Sequence, residues 1–383
     1  MEKTTKMLLL KIAVETCRVV LGITFAFSGF VKAVDPLGTA YKINEYLESL
    51  QMTYLNFLSL PVSVTLSVLE CSLGIIVLLG IWRKLATWLI LIMMLCLMTP
   101  LSMYLLMENP IQDCGCFGDA LVITNLQTFI KNIILSICAL FLWSYSKRMT
   151  PLIDLRRRTV TAIGVVVVVF GFAIYNLIYL PVIDFRPYKI GNNIKEMLTI
   201  PPDAPRDEFE TTLIYAKDGE IQKFSMENYP KEGSGWEFVD TEVTLLKKGY
   251  EAPVHDFTIT TAQGEDITQE VLDYKGYTFL LIAHKVENAS VSYAAQLNEI
   301  ADYAAKNGHH FLGLAASVPE QIAAWSSLTH AAYQFCTMDD ATLRTIVRSN
   351  PGLVLLHNAT IVGKWSRNNL PSENKLNEII NNN

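Results

Sequence analysis

Charged residues are scarce in this sequence: Asp, Glu, Lys and Arg make up 18% of its 383 residues, whereas hydrophobic residues make up 51%. Soluble globular domains are typically about 25% charged. The composition therefore excludes an ordinary soluble protein and indicates a chain that is partly embedded in membrane lipid. The net charge of −6 also argues against a nucleic-acid partner, which would require a basic surface.

Cysteine and histidine are scarce as well, and both are unevenly placed. Seven cysteines are too few for a disulfide-stapled scaffold of this length, and only Cys114 and Cys116 lie close together in sequence. All six histidines follow residue 250, which excludes a bis-histidine haem among the earlier apolar segments. Metal binding at the cysteine pair would need Asp113 and Asp119 as further ligands, which is an unusual set. We therefore predict no metal site there.

Five long apolar segments dominate the first half of the chain. They cover 12–34, 61–81, 85–107, 126–145 and 159–181. A bilayer core about 30 Å thick needs roughly 20 apolar residues in a helix, so each segment is long enough to cross it. The first segment could instead be a secretory signal, but it is long, contains Glu15 and Arg18, and lacks a clear cleavage site. We predict five transmembrane helices, four in a unit over 1–149 and a fifth over 150–181.

Basic residues determine the predicted orientation. Three lie in the amino-terminal tail, two between the second and third segments, and five between the fourth and fifth, whereas the other two connections contain only Lys42. Because cytoplasmic connections are enriched in Lys and Arg, this distribution places the amino terminus in the cytoplasm. Five spans then place the Cys114–Cys116 loop and everything after residue 181 on the opposite side. We predict a multi-pass membrane protein whose carboxyl-terminal domain is exported to a compartment where disulfides persist.

The rest of the chain is predicted to be a linker followed by a globular domain. Within 182–248, "TTLIYAKDGEIQKFSM" predicts two strands about a turn at 217–220, so we expect a linker with a small β element. Over 249–383, the apolar strands "TFLLIAH" and "HFLGLAAS" alternate with helical segments and precede a hairpin, "GLVLLHNATIVGKW". Alternating strands and helices predict an α/β layer fold.

The carboxyl-terminal domain resembles the thioredoxin-like domains of bacterial periplasms. The resemblance depends on the order of the elements, the opening "APVHDFTITTAQGE" and the proline before the hairpin, Pro351. It implies that Pro351 is the cis-proline that borders a substrate-binding groove. Active members have a Cys-x-x-Cys pair after the first central strand, where this chain has "HKVENAS". We therefore expect no dithiol chemistry in this domain, which would either hold a client protein or be a folded appendage without catalysis.

The first four spans resemble the DoxX/MauE group of redox-associated membrane proteins. The matching segments are "RVVLGITFAFSGFVKAVDPLGTAYKINEYL", "LECSLGIIVLLGIWRK" and "NPIQDCGCFGDAL". The resemblance implies a four-helix bundle linked to thiol or quinone redox chemistry, so a quinone is the one cofactor that it suggests. The expected fold is thus an α-helical membrane bundle, with a DoxX-like four-helix core and a fifth transmembrane helix, followed by an α/β thioredoxin-like domain.

Cys114 and Cys116 are the candidate catalytic residues. Because they are two residues apart, their Cα atoms are separated by at most about 7 Å, which is within reach of a disulfide. Gly115 supplies the backbone freedom that so small a ring needs. A strained, exposed disulfide is labile rather than structural. We expect thiol–disulfide exchange at this pair, and an inert tight turn is the alternative.

Glu15, Arg18 and Glu70 lie inside predicted spans, where an unpaired charge is costly. Glu15 and Arg18 are three residues apart and share a helix face, so they can pair. We expect Arg18 also to pair with Glu70, either as an interhelical clamp or as the polar wall of a quinone or proton path. The single cysteines of the spans are expected to be packing residues, and Cys336 a buried core thiol.

Together with the two resemblances, these features favour a thiol–disulfide protein of the bacterial inner membrane, whose periplasmic carboxyl-terminal domain binds a client protein or redox partner. Two competing interpretations stay open at this point. The chain could be a membrane anchor without enzymatic activity, or a subunit of a larger quinone-linked oxidoreductase.

Overall fold

The computed structural model describes residues 2–108, 111, 114–201, 203–217, 219–231, 233–247, 249–250 and 252–382. Helices occupy the first half of the chain, and two separate β-sheets follow. Asp113, a ligand in the metal alternative above, lies outside the described residues.

The amino-terminal part is a helical bundle. Its helices are α1 (Glu2–Val34), α2 (Pro36–Ser49), α3 (Ser59–Leu79), α4 (Arg83–Ile92), α5 (Thr99–Glu108), α6 (Asn125–Ser144) and α7 (Arg158–Ile178). A π-helical turn, Met93–Met98, joins α4 to α5. The patterns above do not predict α2. Its start is determined by Asp35, whose carboxylate accepts a hydrogen bond from the Gly38 amide at 2.9 Å, with a proline in the first turn.

Four of the five predicted spans coincide with helices that are long and apolar enough to cross a membrane. These helices are Thr53–Leu79, Arg83–Glu108, Asn125–Ser144 and Arg158–Ile178. Large apolar side chains such as Ile134, Ile137 and Leu140 are exposed on the outer face of α6, as expected of a helix that contacts lipid. The first predicted span falls within α1, and its crossing of the membrane stays a prediction.

Helices α1 and α3 pack backbone to backbone. A Cβ atom on Gly29 would overlap the backbone of Cys71, and one on Gly22 would overlap the side chain of Leu78. Small residues permit this close approach, which is common between membrane helices. The two contacts show that the helices are antiparallel, so residues near the end of α1 lie opposite residues 68–72 of α3.

Three antiparallel strands follow the bundle. After the short helix α8 (Ile194–Leu198), the strands β1 (Glu208–Lys217), β2 (Glu220–Ser225) and β3 (Glu237–Lys247) form a sheet of order β2-β1-β3. The predicted β1–β2 hairpin is present, since Lys217 pairs with Glu220. The third strand, β3, is not predicted by the sequence patterns.

The carboxyl-terminal part is an α/β unit. Its elements are α9 (Thr268–Asp273), β4 (Tyr277–Ile282), α10 (Ala294–Lys306), β5 (His310–Ala315), α11 (Pro319–Thr329), β6 (Gln334–Thr337), α12 (Asp340–Ile346), β7 (Gly352–His357), β8 (Thr360–Ser366) and α13 (Glu373–Asn382). The strand order is β6-β5-β4-β7-β8, with β4, β5 and β6 parallel and the β7–β8 hairpin antiparallel. The strand β4 is buried along its whole length, as its continuous apolar sequence predicts.

The segment before the three-stranded sheet packs onto the α/β unit. The Gly191 amide donates to the Ile361 carbonyl at 2.8 Å, and the Ile361 amide donates to the Asn192 carbonyl at 3.0 Å. Ile194 of α8 is buried in the same core as Val354 and other residues of the sheet. Residues 188–198, which fall in the predicted linker, are therefore an added edge of the α/β unit.

The α/β unit lies on one end of the bundle. Arg348 Nε donates to Asp35 Oδ2 at 2.8 Å, and Arg348 Nη2 lies 3.7 Å from Asp119 Oδ2. The basic connections lie at the other end, where Arg83 Nη1 donates to the carbonyl of Met149 at 2.6 Å. The cysteine loop and the α/β unit therefore occupy the same end of the bundle.

Candidate functional site

The loop between α5 and α6 brings two sulfur atoms together. Cys114 and Cys116 are free thiols whose Sγ atoms are 2.9 Å apart. The loop turns through Gly115 and Gly118, whose φ angles are +60° and +50°, a region that L side chains rarely adopt. Thr124 ends the loop with a capping box at the start of α6.

The thiol pair is buried, with Cys114 7% and Cys116 9% exposed. The expectation of an exposed pair is wrong. The physical reason is α2, which covers the loop: the hydroxyl of Tyr46 donates to the Cys114 carbonyl, and the apolar surface of Leu105 packs on the other side. Bulk water therefore has little access to either sulfur.

Lys32 of α1 forms hydrogen bonds to the thiol loop and to α3. Its Nζ donates to the Cys116 carbonyl at 2.9 Å and to Glu70 Oε2 at 2.6 Å. The hydroxyl of Ser28, one turn earlier, donates to the Cys116 carbonyl at 2.7 Å and also contacts Glu70 Oε2 at 2.7 Å. This network joins α1, α3 and the thiol loop through two buried charges. We call Lys32, Glu70, Ser28 and Cys116 the thiol-end network.

The predicted pairing of Arg18 with Glu70 is wrong. Because α1 and α3 are antiparallel, Glu70 lies opposite residue 30 or so of α1, about 12 residues or 18 Å along the helix from Arg18. Arg18 instead donates to Glu15 at 2.8 Å, which confirms that predicted pair, and to the Val77 and Thr150 carbonyls at 3.1 and 2.7 Å. The structure does not bring Arg18 and Glu70 to one site.

Lys32 and Ser28 are functional candidates that the sequence reasoning missed. Both lie near the end of a long apolar segment, where a lysine can be taken for an interfacial residue. The signal that could have found them is their spacing, because residues 28 and 32 are one helical turn apart and share a face. Two polar residues on one face of an apolar helix indicate a buried partner, which here is Glu70.

A small cavity of about 20 Å³ lies beneath the loop. Its lining residues include Cys116, Glu70, Ser28 and Lys131. The Nζ atom of Lys131, on α6, lies 4.4 Å from the ring centroid of Phe117, a cation–π contact. A cavity of this size holds about one water molecule when its walls offer polar partners.

The two thiols differ in acidity. The hydrogen bond from the Cys114 thiol lowers the pKa of Cys116 to about 6, and the positive charges of Lys131 and Lys32 add to this against the effect of burial. The pKa of Cys114 is raised, chiefly because its thiol is the donor in that hydrogen bond and because it is buried. Since the two groups titrate as a pair, the first proton leaves readily and the second is retained. When the first proton leaves, the pair therefore consists of one thiolate, on Cys116, and one thiol, on Cys114.

A larger cleft separates the loop from the α/β unit. Its volume is about 280 Å³, and its walls include Gly115 of the loop, Tyr41 of α2, and Arg344 and Arg348 at the end of α12. Both guanidinium groups lie over the Tyr41 ring, at 4.9 and 5.3 Å from its centroid. Burial alone would raise the pKa of Asp35, but the charges of Arg348 and Arg186 lower it. The cleft is thus lined by paired charges and reaches the backbone of the thiol loop.

Pro351 is buried and lies three residues after Arg348, which lines the cleft. The Asn350–Pro351 bond is cis, and the Asn350 side chain donates to the Lys285 carbonyl at 2.8 Å. Lys285 belongs to "HKVENAS", the segment without cysteine. Cys336 is 1% exposed in the core of the unit, so its thiol is not accessible. A role for Pro351 in binding stays a prediction.

No metal site is found in the part of the chain that the structure describes. Among those residues, no three or more His, Cys, Asp or Glu side chains form a group that could hold a metal ion. Asp119, the second carboxylate of the metal alternative, faces Arg348 rather than the sulfur atoms.

Two parts of the chain match known families. Residues 10–145 match the family described as Methylamine utilisation protein MauE, and residues 209–248 match a domain of unknown function, DUF8463. The first match spans the thiol loop and the thiol-end network and confirms the MauE part of the predicted resemblance, whereas the DoxX part stays a prediction. The second covers most of the three-stranded sheet.

A search of curated proteins found no match. Among solved structures, the chain is similar to the solution structure of a candidate protein disulfide isomerase from Bacteroides thetaiotaomicron. The identity is 18% and the TM-score 0.26, with 33% of this chain and 82% of that chain covered. This score is too low to assign a fold, so the thioredoxin-like assignment of the α/β unit stays a prediction. What the comparisons and the structure establish is a multi-pass membrane protein with a MauE-type helical region followed by an α/β region.

Proposed function

We propose that this chain is a membrane thiol–disulfide exchange protein whose Cys114–Cys116 pair is the reactive centre. One observation supports this above the others: the two Sγ atoms are 2.9 Å apart, in a loop whose carbonyl groups are hydrogen-bonded to neighbouring helices. A thiolate is the nucleophile in disulfide exchange, and the pKa of Cys116 is about 6, well below that of an ordinary thiol. The same geometry has no evident use in a purely structural turn.

The exchange proceeds in two steps in which atoms and electrons balance. The Cys116 thiolate attacks one sulfur of a client disulfide, so that a mixed disulfide forms and the other client sulfur leaves as a thiolate, which takes up a proton. Cys114 then loses its proton and attacks Cys116 Sγ, which releases the second client thiol. The client disulfide is reduced by two electrons, and the loop is oxidised by the same two. The reverse sequence oxidises a client.

The client is proposed to bind in the 280 Å³ cleft between the loop and the α/β unit. The cleft reaches Gly115 on one side and Arg344 and Arg348 of the α/β unit on the other, so a bound peptide would lie between the thiol loop and that unit. Its charged walls favour a polar peptide segment over an apolar one. The α/β unit would thus position the client while the membrane bundle provides the thiols.

A quinone does not fit the residues proposed for it. Arg18 and Glu70 lie at different levels of the bundle, and the cavity beside Glu70 is about 20 Å³, whereas small-molecule sites are typically about 300–1,000 Å³. We therefore propose that the oxidant or reductant of the loop is a disulfide or dithiol of another molecule, and we derive no step through a quinone.

We further propose that α1 also crosses the membrane, which makes five spans, with the amino terminus in the cytoplasm of a bacterium and the α/β unit in the periplasm. Two contacts support this: Arg18 reaches the Thr150 carbonyl at the basic end, and Lys32 reaches the Cys116 carbonyl at the thiol end. The 14 residues between them span about 21 Å, most of a bilayer core. Impermeant maleimide should label a cysteine placed at Ser234 in spheroplasts, and one at Lys147 only after lysis.

Trapping a client tests the reaction itself. In the full chain, Cys114→Ser should accumulate a mixed disulfide at Cys116, because the resolving thiol is missing. Cys116→Ser should trap much less, because Cys114 stays protonated. Cys96→Ser, which alters an exposed cysteine of the π-helical turn, is the matched control and should behave as the wild type.

A membrane anchor without thiol chemistry is the second candidate function. The absence of cysteine from "HKVENAS" and the Arg348–Asp35 ion pair between bundle and α/β unit favour it, because both suit a static binding module. If neither cysteine variant traps a client and the wild-type loop stays fully reduced under oxidising conditions, the anchor is the correct function.

A further inference from the structure

The burial of the thiol pair creates a requirement for a proton acceptor. Two thiols that close into a disulfide must lose two protons, and neither cysteine residue is more than 9% exposed. In an exposed redox loop, water or buffer takes these protons directly. Here the first acceptor must lie inside the protein.

Glu70 is the candidate proton acceptor, because its carboxylate lines the same cavity as Cys116. It is 1% exposed, and its two oxygens differ. Oε2 accepts hydrogen bonds from Lys32 and Ser28, whereas Oε1 is buried with no hydrogen-bond partner among the described residues. A buried carboxylate oxygen without a partner is costly and needs an explanation. Glu70 and Cys116 line the same 20 Å³ cavity, which has room for one water molecule.

The charges around the cavity favour proton transfer within it. Lys32 on α1 and Lys131 on α6 are positive, and Glu70 on α3 is negative when ionised. Moving a proton from the Cys116 thiol to Glu70 leaves the net charge of this set unchanged, so no additional charge is buried. The two lysines remain to stabilise the thiolate that results.

We infer that Glu70 is the internal proton acceptor of the Cys114–Cys116 pair and reaches the Cys116 thiol through a single water molecule in the cavity. This inference extends the thiol–disulfide exchange proposed above. Lys32 and Ser28 act as positioning residues, because they hold Oε2 and thereby direct Oε1 away from themselves. Lys131 stabilises the thiolate through its charge.

The proton balance is closed at each step. The Cys116 thiol gives its proton to the cavity water as that water gives one to Glu70, which leaves a thiolate and a neutral carboxylic acid. After the thiolate attacks the client disulfide, Glu70 returns the proton to the departing client thiolate through the same water. Glu70, ionised again, takes up the Cys114 proton in the resolving step and returns it to the second client thiolate as that thiolate leaves. Every proton from the pair ends on a client thiol.

Glu70→Gln separates this inference from a purely electrostatic role. The negative charge of Glu70 opposes thiolate formation at Cys116, so its removal alone should make the thiolate easier to form and the exchange faster. Loss of a proton acceptor should instead slow the exchange, because general acid–base groups typically raise a reaction rate by about 100-fold or more. The direction of the change is therefore diagnostic.

The experiment uses the full chain in lipid nanodiscs with dithiobis(nitrobenzoate) as the disulfide and follows release of thionitrobenzoate. We expect Glu70→Gln to slow this release by at least about tenfold at pH 5, where the Cys116 thiol, whose pKa is about 6, still carries the proton that must be transferred. Glu70→Asp should recover part of the rate. Glu15→Gln, which alters another ion-paired carboxylate at the opposite end of the bundle, should exchange at the wild-type rate. Thr24→Leu fills the cavity without altering any charge and should slow release as Glu70→Gln does.

The outcomes are distinct. A Glu70→Gln protein that exchanges as fast as the wild type, or faster, overturns the inference while leaving the exchange function intact. A wild-type protein that releases no thionitrobenzoate from Cys114 and Cys116 overturns the proposed function instead. If Glu70→Gln does not fold, Thr24→Leu decides: a wild-type rate in that variant rejects the water-mediated path.

Discussion

Both ends of the helical bundle contain buried charged side chains, but the hydrogen bonding of these side chains differs between the two ends. At the basic end, Arg18 donates hydrogen bonds to Glu15 and to three backbone carbonyls. At the thiol end, Glu70 shares one oxygen with Lys32 and Ser28, while the other has no partner among the described residues. A buried charged group whose hydrogen-bonding atoms all have partners stabilises the packing of the helices. A buried carboxylate with an unpartnered oxygen, beside a cavity and a thiolate, indicates a functional role.

Lys32→Met should have the largest effect, because it affects both structure and chemistry. Removing the ammonium leaves the buried carboxylate of Glu70 without its counter-ion, which typically costs about 3–5 kcal/mol. Denaturant unfolding of the purified protein would measure the loss, and Lys32→Arg, which keeps the charge, should lose much less. A loss below about 1 kcal/mol would show that the ion pair does not stabilise the bundle.

Arg18→Met should lower the free energy of unfolding by about 2 kcal/mol, because several charge-assisted hydrogen bonds are lost. The loss is smaller than for Lys32 because Glu15 is partly exposed and can be hydrated. The pH dependence of Cys116 alkylation should not change, since Arg18 lies at the other end. A shift in the pH dependence of Cys116 alkylation in this variant would show that Arg18 influences the thiol end, which this account excludes.

Lys131→Met should alter the chemistry with little structural change. A thiol with a lowered pKa is a thiolate above that pKa, so Cys116 alkylation should rise as pH increases through about 6 and be lost below it. Removing the Lys131 charge should raise this midpoint by about one pH unit, which corresponds to about 1.4 kcal/mol. Lys131→Arg should restore it. The measurement is the alkylation rate of Cys116 against pH, followed by mass spectrometry in protein that keeps Cys114, and an unchanged midpoint would exclude Lys131.

Gly115→Ala should have the smallest effect, about 1 kcal/mol, because φ at this position is +60°. The strain should also disfavour the tight ring, so the oxidised fraction of the loop should fall in a fixed glutathione buffer. Gly164→Ala is the matched control, since a Cβ at Gly164 meets no atom within 4 Å. Equal oxidised fractions in both variants would mean that the left-handed turn does not assist ring closure.

The sequence predicts the bundle better than the site. Long apolar segments predict five spans, four of which coincide with helices long and apolar enough to cross a membrane. Continuous apolar strands such as β4 predict the α/β sheet, because such strands are buried on both faces. The burial of the thiol loop could not be predicted, since it depends on α2, a short helix of mixed polarity. The sequence does not predict Lys32 as a site residue, because its partner, Glu70, is 38 residues away and only the packing register of α1 on α3 brings them together.

The most direct test measures the redox state of the loop in membranes that contain the full chain. Membranes are equilibrated with glutathione buffers of increasing disulfide content, thiols are alkylated, and the peptide with Cys114 and Cys116 is quantified by mass spectrometry. The account predicts reversible, two-electron conversion between a doubly alkylated peptide and one with an internal disulfide, together with a mixed disulfide in Cys114→Ser. A peptide that stays doubly alkylated in every buffer would contradict it.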